Sequence, residues 1–68
     1  MEKELIKVEG MACEHCVKAV TEAVNTLPGI GSVAVNLDAG TVTVEYNPAQ
    51  SPLDAIKGAI EDQGYDVL

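Results

Sequence analysis

The chain has no phenylalanine, no tryptophan and only two tyrosines, Tyr46 and Tyr65. A core must therefore be assembled from Val, Ile, Leu and Ala, and the aromatic platforms on which single-stranded nucleic acids stack are missing. Basic residues are scarce too. Four of them against eleven acidic residues leave a formal net charge of -7, which opposes binding to phosphate backbones and anionic membrane surfaces. No nucleic-acid partner is expected. No apolar run approaches the roughly 18 residues of a membrane helix, and the charged opening Met1-Glu2-Lys3-Glu4-Leu5-Ile6-Lys7 lacks the apolar stretch of a secretory signal. The expectation is a cytoplasmic protein without direct membrane insertion.

What is present in small number is concentrated in one place. The only two cysteines, Cys13 and Cys16, and the only histidine, His15, fall within Met11-Ala12-Cys13-Glu14-His15-Cys16. Thiols are kept reduced in the cytoplasm, so a lone C-x-x-C pair reads as metal-binding or redox-active rather than as a structural disulfide. Thiolate is a soft ligand that selects Cu(I), Zn(II) and similar ions. A closed structural zinc site needs four protein ligands, whereas this stretch offers Cys13, Cys16 and at most His15, so a soft ion of low coordination fits better.

Sixty-eight residues suffice for one domain, 1–68, burying only about 60% of its unfolded surface. That leaves room for a shallow site and none for a deep catalytic cleft. Residues 3–9 alternate, with Ile6 and Val8 on one face and Lys7 and Glu9 on the other, which predicts a strand. Gly10 interrupts it. From about Cys16 to Leu27, Val17, Val20, Val24 and Leu27 recur at helical spacing, and Pro28-Gly29 ends the run. Val33, Val35 and Leu37, then Val42, Val44 and Tyr46, alternate on either side of Asp38-Ala39-Gly40, which predicts a hairpin with Gly40 at the position of positive φ.

Ser51 followed by Pro52 and Asp54 reads as the cap, first residue and third residue of a second helix. Leu53, Ile56, Ala59 and Ile60 supply its apolar stripe, Gly64 its end, and residues 65–68 a short edge strand. The resulting order, βαββαβ, is the ferredoxin-like α+β sandwich: a four-stranded antiparallel sheet with two helices on one face.

Within that order Cys16 lies in the first turn of a helix, where unpaired backbone N–H groups and the positive end of the macrodipole favour a thiolate. Cys13 lies one loop earlier and can turn back toward it. Two such sulfurs at a surface leave a bound ion open to attack by a thiolate from a second protein. Metal can then pass between proteins without release to water.

The loop Gly10-Met11-Ala12-Cys13-Glu14-His15-Cys16 and the later Gly64-Tyr65 resemble the G-M-x-C-x-x-C pattern of heavy-metal-associated (HMA) domains, and over its whole length the chain is similar to bacterial CopZ-type copper chaperones. The resemblance implies that Cys13 and Cys16 bind Cu(I). It also implies delivery to the N-terminal metal-binding domains of a copper-transporting P-type ATPase. Met11 then packs beneath the loop and Tyr65 sits beside it, both outside the ligand set. His15 is an exposed modulator of the loop or a partner contact, with the alternative of an added ligand in a copper-bridged homodimer. Glu14 is solvated. Two other readings stand beside this one: a carrier of another soft metal such as Hg(II), and a small thiol-disulfide redox protein. Thioredoxin-like extra elements are absent, which weighs against an enzyme.

Overall fold

The computed structural model describes residues 1–11 and 13–68. Ala12, the variable position of the cysteine motif, lies outside the described residues. The elements are β1 (Glu2–Glu9), α1 (Glu14–Asn25), β2 (Ile30–Asn36), β3 (Thr41–Tyr46), α2 (Leu53–Asp62) and β4 (Asp66–Val67). All pairings are antiparallel in the order β2-β3-β1-β4. The βαββαβ order and the four-stranded sheet are those the periodicity predicts, including the short edge strand.

Burial follows the alternation. Ile6 and Val8 of β1 and Val42, Val44 and Tyr46 of β3 point inward to meet Val20 and Val24 of α1 and Ile56 and Ile60 of α2. Both helices cover this face, α1 lying toward β2 and α2 toward β4, with α1 also packed on α2. Each fully buried Val or Ile contributes about 1.5–3 kcal/mol relative to exposure, so this small set carries much of the fold. The core differs in type from that expected: among the described residues no leucine or alanine is buried, Met11 and Tyr46 are, and Leu5 and Leu68 are 59% and 67% exposed. Lys3, Leu5, Lys7 and Glu9 of β1 occupy the opposite, open face of the sheet.

Several boundaries differ from the sequence reading for local physical reasons. Helix α1 starts at Glu14 rather than near Cys16, because Cys13 is extended (φ -154°, ψ 168°) and its carbonyl accepts the N–H groups of Cys16 and Val17 at 3.0 and 3.3 Å. It ends before Leu27, with the Thr26 N–H bonded to Glu22 O at 3.2 Å and the Thr26 hydroxyl donating to Ala23 O at 2.7 Å. Strand β2 begins earlier, at Ile30, with an irregularity between Ile30 and Ser32. Leu37 leaves the strand and joins the turn, where the Asn36 side chain accepts the Ala39 N–H at 3.1 Å. Gly40 has the expected positive φ, +67°, and its carbonyl accepts the Val8 N–H at 2.8 Å, tying the hairpin tip to β1.

The cap assigned to Ser51 is not there. Pro52 itself is the N-cap residue, extended at φ -70° and ψ 161°, and no side chain caps the helix. The Ser51 hydroxyl instead donates to Pro28 O at 2.7 Å, with the residue only 2% exposed. A long-range clamp between the loops before β2 and α2 took precedence over the local cap.

Candidate metal centre

The site grows from the end of β1. Gly10 turns the chain with φ +97°, a value that L side chains rarely adopt because Cβ then crowds the backbone. Met11 follows and is buried with the core side chains, only 8% exposed. Its thioether therefore fills space in the core. Cys13 then stands exposed at the N-cap of α1, while Cys16, the third residue of that helix, is half-buried against the core.

The two sulfurs lie 3.3 Å apart. A disulfide would bring them to about 2.05 Å, so the pair is in the thiol form, facing each other across one helical turn. Both cysteines are thus carried by a fixed element: the C-x-x-C spacing sets one sulfur on the cap and the other on the first turn.

Tyr65 closes the other side. It leads into β4, which pairs with the last residues of β1 through Val8 with Val67 and Glu9 with Asp66. This register lays its ring over Gly10, where a Cβ on the glycine would meet Tyr65 Cδ1 at 3.4 Å. Its hydroxyl is hydrogen-bonded to Cys16; that bond, then burial, then the negative charge that Cys16 and Cys13 carry once deprotonated, hold the phenol above its ordinary pKa of 10.0. The tyrosine therefore stays protonated and can donate to sulfur.

His15 and Glu14 lie in the first turn of α1 and are exposed. Among the described residues no group of three or more His, Cys, Asp or Glu side chains is assembled to hold a metal, so His15 is not gathered with the two cysteines into a three-residue cluster. The site brings together two sulfurs with Tyr65 beside them, and Met11 is buried in the core against which Cys16 packs. Sequence reasoning brought Met11 and Tyr65 to the loop by resemblance. The Tyr65 bond to Cys16 and the role of Cys13 as helix cap carried no local signal, since both depend on where β4 and the loop come to rest.

The chain belongs to a family that this loop and fold define. Residues 5–66 match the heavy-metal-associated domain, and the chain is a member of that family. It is 47% identical over all 68 residues of both chains to the copper chaperone CopZ of Staphylococcus aureus. Among solved structures, a CopZ metallochaperone superposes with a TM-score of 0.96 at 46% identity, covering 98% of this chain and 100% of that one. The N-terminal domain of a potential copper-translocating P-type ATPase from Bacillus subtilis, in the Cu(I)-loaded state, superposes with a TM-score of 0.93 at 35% identity, covering 97% and 82%. No helix among the described residues is long and apolar enough to cross a membrane.

Proposed function

We propose that residues 1–68 form one heavy-metal-associated domain acting as a cytoplasmic Cu(I) chaperone, which holds the ion between the Cys13 and Cys16 thiolates. It hands the ion by ligand exchange to an N-terminal metal-binding domain of a copper-transporting P-type ATPase. It is a carrier, not an enzyme. The observation that carries the reading is the pair of sulfurs 3.3 Å apart at the exposed start of α1, in a chain of this family. The full-length likeness to proteins named copper chaperones supports copper as the cargo.

With metal–thiolate bonds of about 2.3 Å, sulfurs at the present separation would subtend only about 90° at an ion, and a linear pair needs about 4.6 Å. Loading therefore requires the sulfurs to spread by about 1.3 Å. The exposed Cys13 is the side chain with room to move outward, while Cys16 is held by the core and by Tyr65. Both thiols lose their protons on loading. In transfer, a thiolate of the acceptor bonds to the two-coordinate ion; the bond to one of the two cysteines then breaks, and that sulfur takes up a proton. The second exchange repeats the step, and copper stays Cu(I) throughout. Met11 shapes the loop from below, and Tyr65 orients Cys16 by its hydrogen bond. His15 acts from the rim. A copper-bridged homodimer finds no support in the comparisons.

The test is anaerobic competition of the reduced protein for Cu(I), Hg(II) and Zn(II) against calibrated chelators, with Cys13→Ser and Cys16→Ser alongside. Cu(I) retention that collapses in either variant, with weak Zn(II), is the expected result. Retention of Cu(I) by both variants overturns the ligand assignment. Turnover in a dithiol-dependent reductase assay would return the redox reading to the front.

A further inference from the structure

A sheet of order β2-β3-β1-β4 has an edge at each end, and the two edges are built differently. An exposed edge offers unpaired N–H and C=O groups to any extended chain, and charges, brevity or bulges normally blunt it. Strand β4 is blunted twice: it has two residues, and Asp66 stands across from Glu9. Beyond β4, the part of β1 left without a second neighbour carries Glu2, Lys3 and Glu4. Strand β2 lacks such protection. Its seven residues, Ile30–Asn36, include no charged side chain, and its irregularity lies at the start, between Ile30 and Ser32. From Ser32 to Asn36 the register against β3 is unbroken.

We propose that β2 is the contact through which a second copy of this chain pairs, edge to edge and antiparallel, about a two-fold axis at Ala34. The partner is argued from the edge itself. Ser32-Val33-Ala34-Val35-Asn36 reads nearly the same in both directions, so the axis sets Ser32 across from the copy's Asn36, Val33 from its Val35 and Ala34 from its Ala34. Each residue then meets one of its own kind on the same face of the sheet. Val33 and Val35, half-buried against the core, gain apolar cover, while the exposed Ser32, Ala34 and Asn36 continue the open face. No charge opposes a like charge along the paired strands. The repulsion lies outside them: each copy has a net charge of -7, and the flank of α1 beside β2, with Glu14 and Glu22 against Lys18, turns toward its own counterpart. Association is therefore weak, and it strengthens as salt screens the two copies. The axis also fixes where the sulfurs go. Strand β2 ends at the hairpin whose Gly40 O is tied to the Val8 N–H, two residues before the Gly10 turn that leads to Cys13. Antiparallel pairing sends these two ends in opposite directions, so no single ion bridges the two thiol pairs. The inference does not depend on the chaperone reading.

The test is a dilution series of the metal-free protein, kept reduced with a chelator present, followed by amide chemical shifts and by sedimentation equilibrium at low and high salt. Ala34→Lys places two ammonium groups across the axis. Leu5→Lys makes the same change of charge at an exposed position on the open face of β1. Both variants reduce the net negative charge and with it the general repulsion, so a weaker association in one of them reports a contact at that residue. Circular dichroism confirms that both fold. The expected result is a monomer at micromolar and a dimer at millimolar concentration, as suits a small interface, with more dimer at high salt and shift changes centred on residues 32–36. Ala34→Lys should weaken the dimer by about fivefold, the upper range for like charges directly opposite, and Leu5→Lys should not weaken it. A monomer at every concentration and salt, an association that salt dissolves, shift changes centred on Leu5 or on residues 10–16, or equal effects of the two variants would each overturn the proposal. Copper competition is read separately, so the chaperone reading stands or falls on its own test.

Discussion

Gly10→Ala tests whether the loop geometry depends on one backbone conformation. The added methyl has room, since it would meet Tyr65 Cδ1 at 3.4 Å, an ordinary contact. The penalty comes from φ +97°, and a non-glycine residue held in such a region costs about 1–3 kcal/mol. Gly58 provides the internal comparison. It lies inside α2, and a Cβ there meets nothing within 4 Å, so Gly58→Ala gains about 0.8–1 kcal/mol of helix propensity. The same substitution at two glycines should therefore act with opposite sign, the pair separated by about 2–4 kcal/mol. That is a large interval for a domain of this size, whose whole stability is about 3–10 kcal/mol.

Urea unfolding followed by far-ultraviolet circular dichroism reads the difference as a shift in midpoint at constant slope. Cu(I) competition on the same samples should show weaker retention for Gly10→Ala, because relief of the strain moves the loop away from Tyr65 and Cys16. Gly58→Ala should retain copper unchanged. A Gly10→Ala protein with the wild-type midpoint would refute the claim that this turn needs a positive φ.

Ser51→Ala should lose about 0.5–1.5 kcal/mol through its bond to Pro28 O, and Ser51→Asp should lose more, since a buried carboxylate has no proton to donate there. An N-cap would accept Asp without loss, so unfolding midpoints of the two variants separate the clamp from the cap. Tyr65→Phe removes a phenol whose pKa is raised by the bond to Cys16, burial and thiolate charge. A raised pKa means that its contribution is present below about pH 10 and is lost as pH rises through the folded value, so the stability gap between wild type and variant should close in alkaline titration. Tyr46, raised by burial and by Glu4 and Glu2, leaves both proteins some alkaline loss. A gap independent of pH would separate the Tyr65 hydroxyl from the thiolates. Asp66→Lys should raise stability by about 0.2–1 kcal/mol, more at low salt, because Asp66 lies directly across from Glu9; no gain in thermal midpoint at low salt would argue that β4 is not held by this pairing.

The architecture was legible because burial in a small sheet obeys a strict period. Ile6 with Val8, and Val42 with Val44, are two apart in sequence and all buried, and Val20 with Val24 marks the helix stripe by spacing alone. Leu37 shows where the pattern overreaches: it continues the alternation of Val33 and Val35, yet the strand stops at Asn36, because the side chain of that asparagine accepts the Ala39 N–H and turns the chain. Ser51 shows the same failure at longer range. Ser-Pro-x-Asp is a strong local start signal, but the hydroxyl found the Pro28 carbonyl 23 residues away.

The sequence by itself determined the chemistry available: two thiols spaced to meet across one helical turn, a single histidine, an acidic surface and an aliphatic core. These follow from residue type and from periods of two and 3.6, which are properties of neighbouring positions. Tertiary structure decided what surrounds the sulfurs. Antiparallel pairing of β4 with β1 carries Tyr65 from near the end of the chain onto Gly10 and Cys16, and packing in the core buries Met11. Such contacts join residues distant in sequence, whose approach is set by the packing of the whole core.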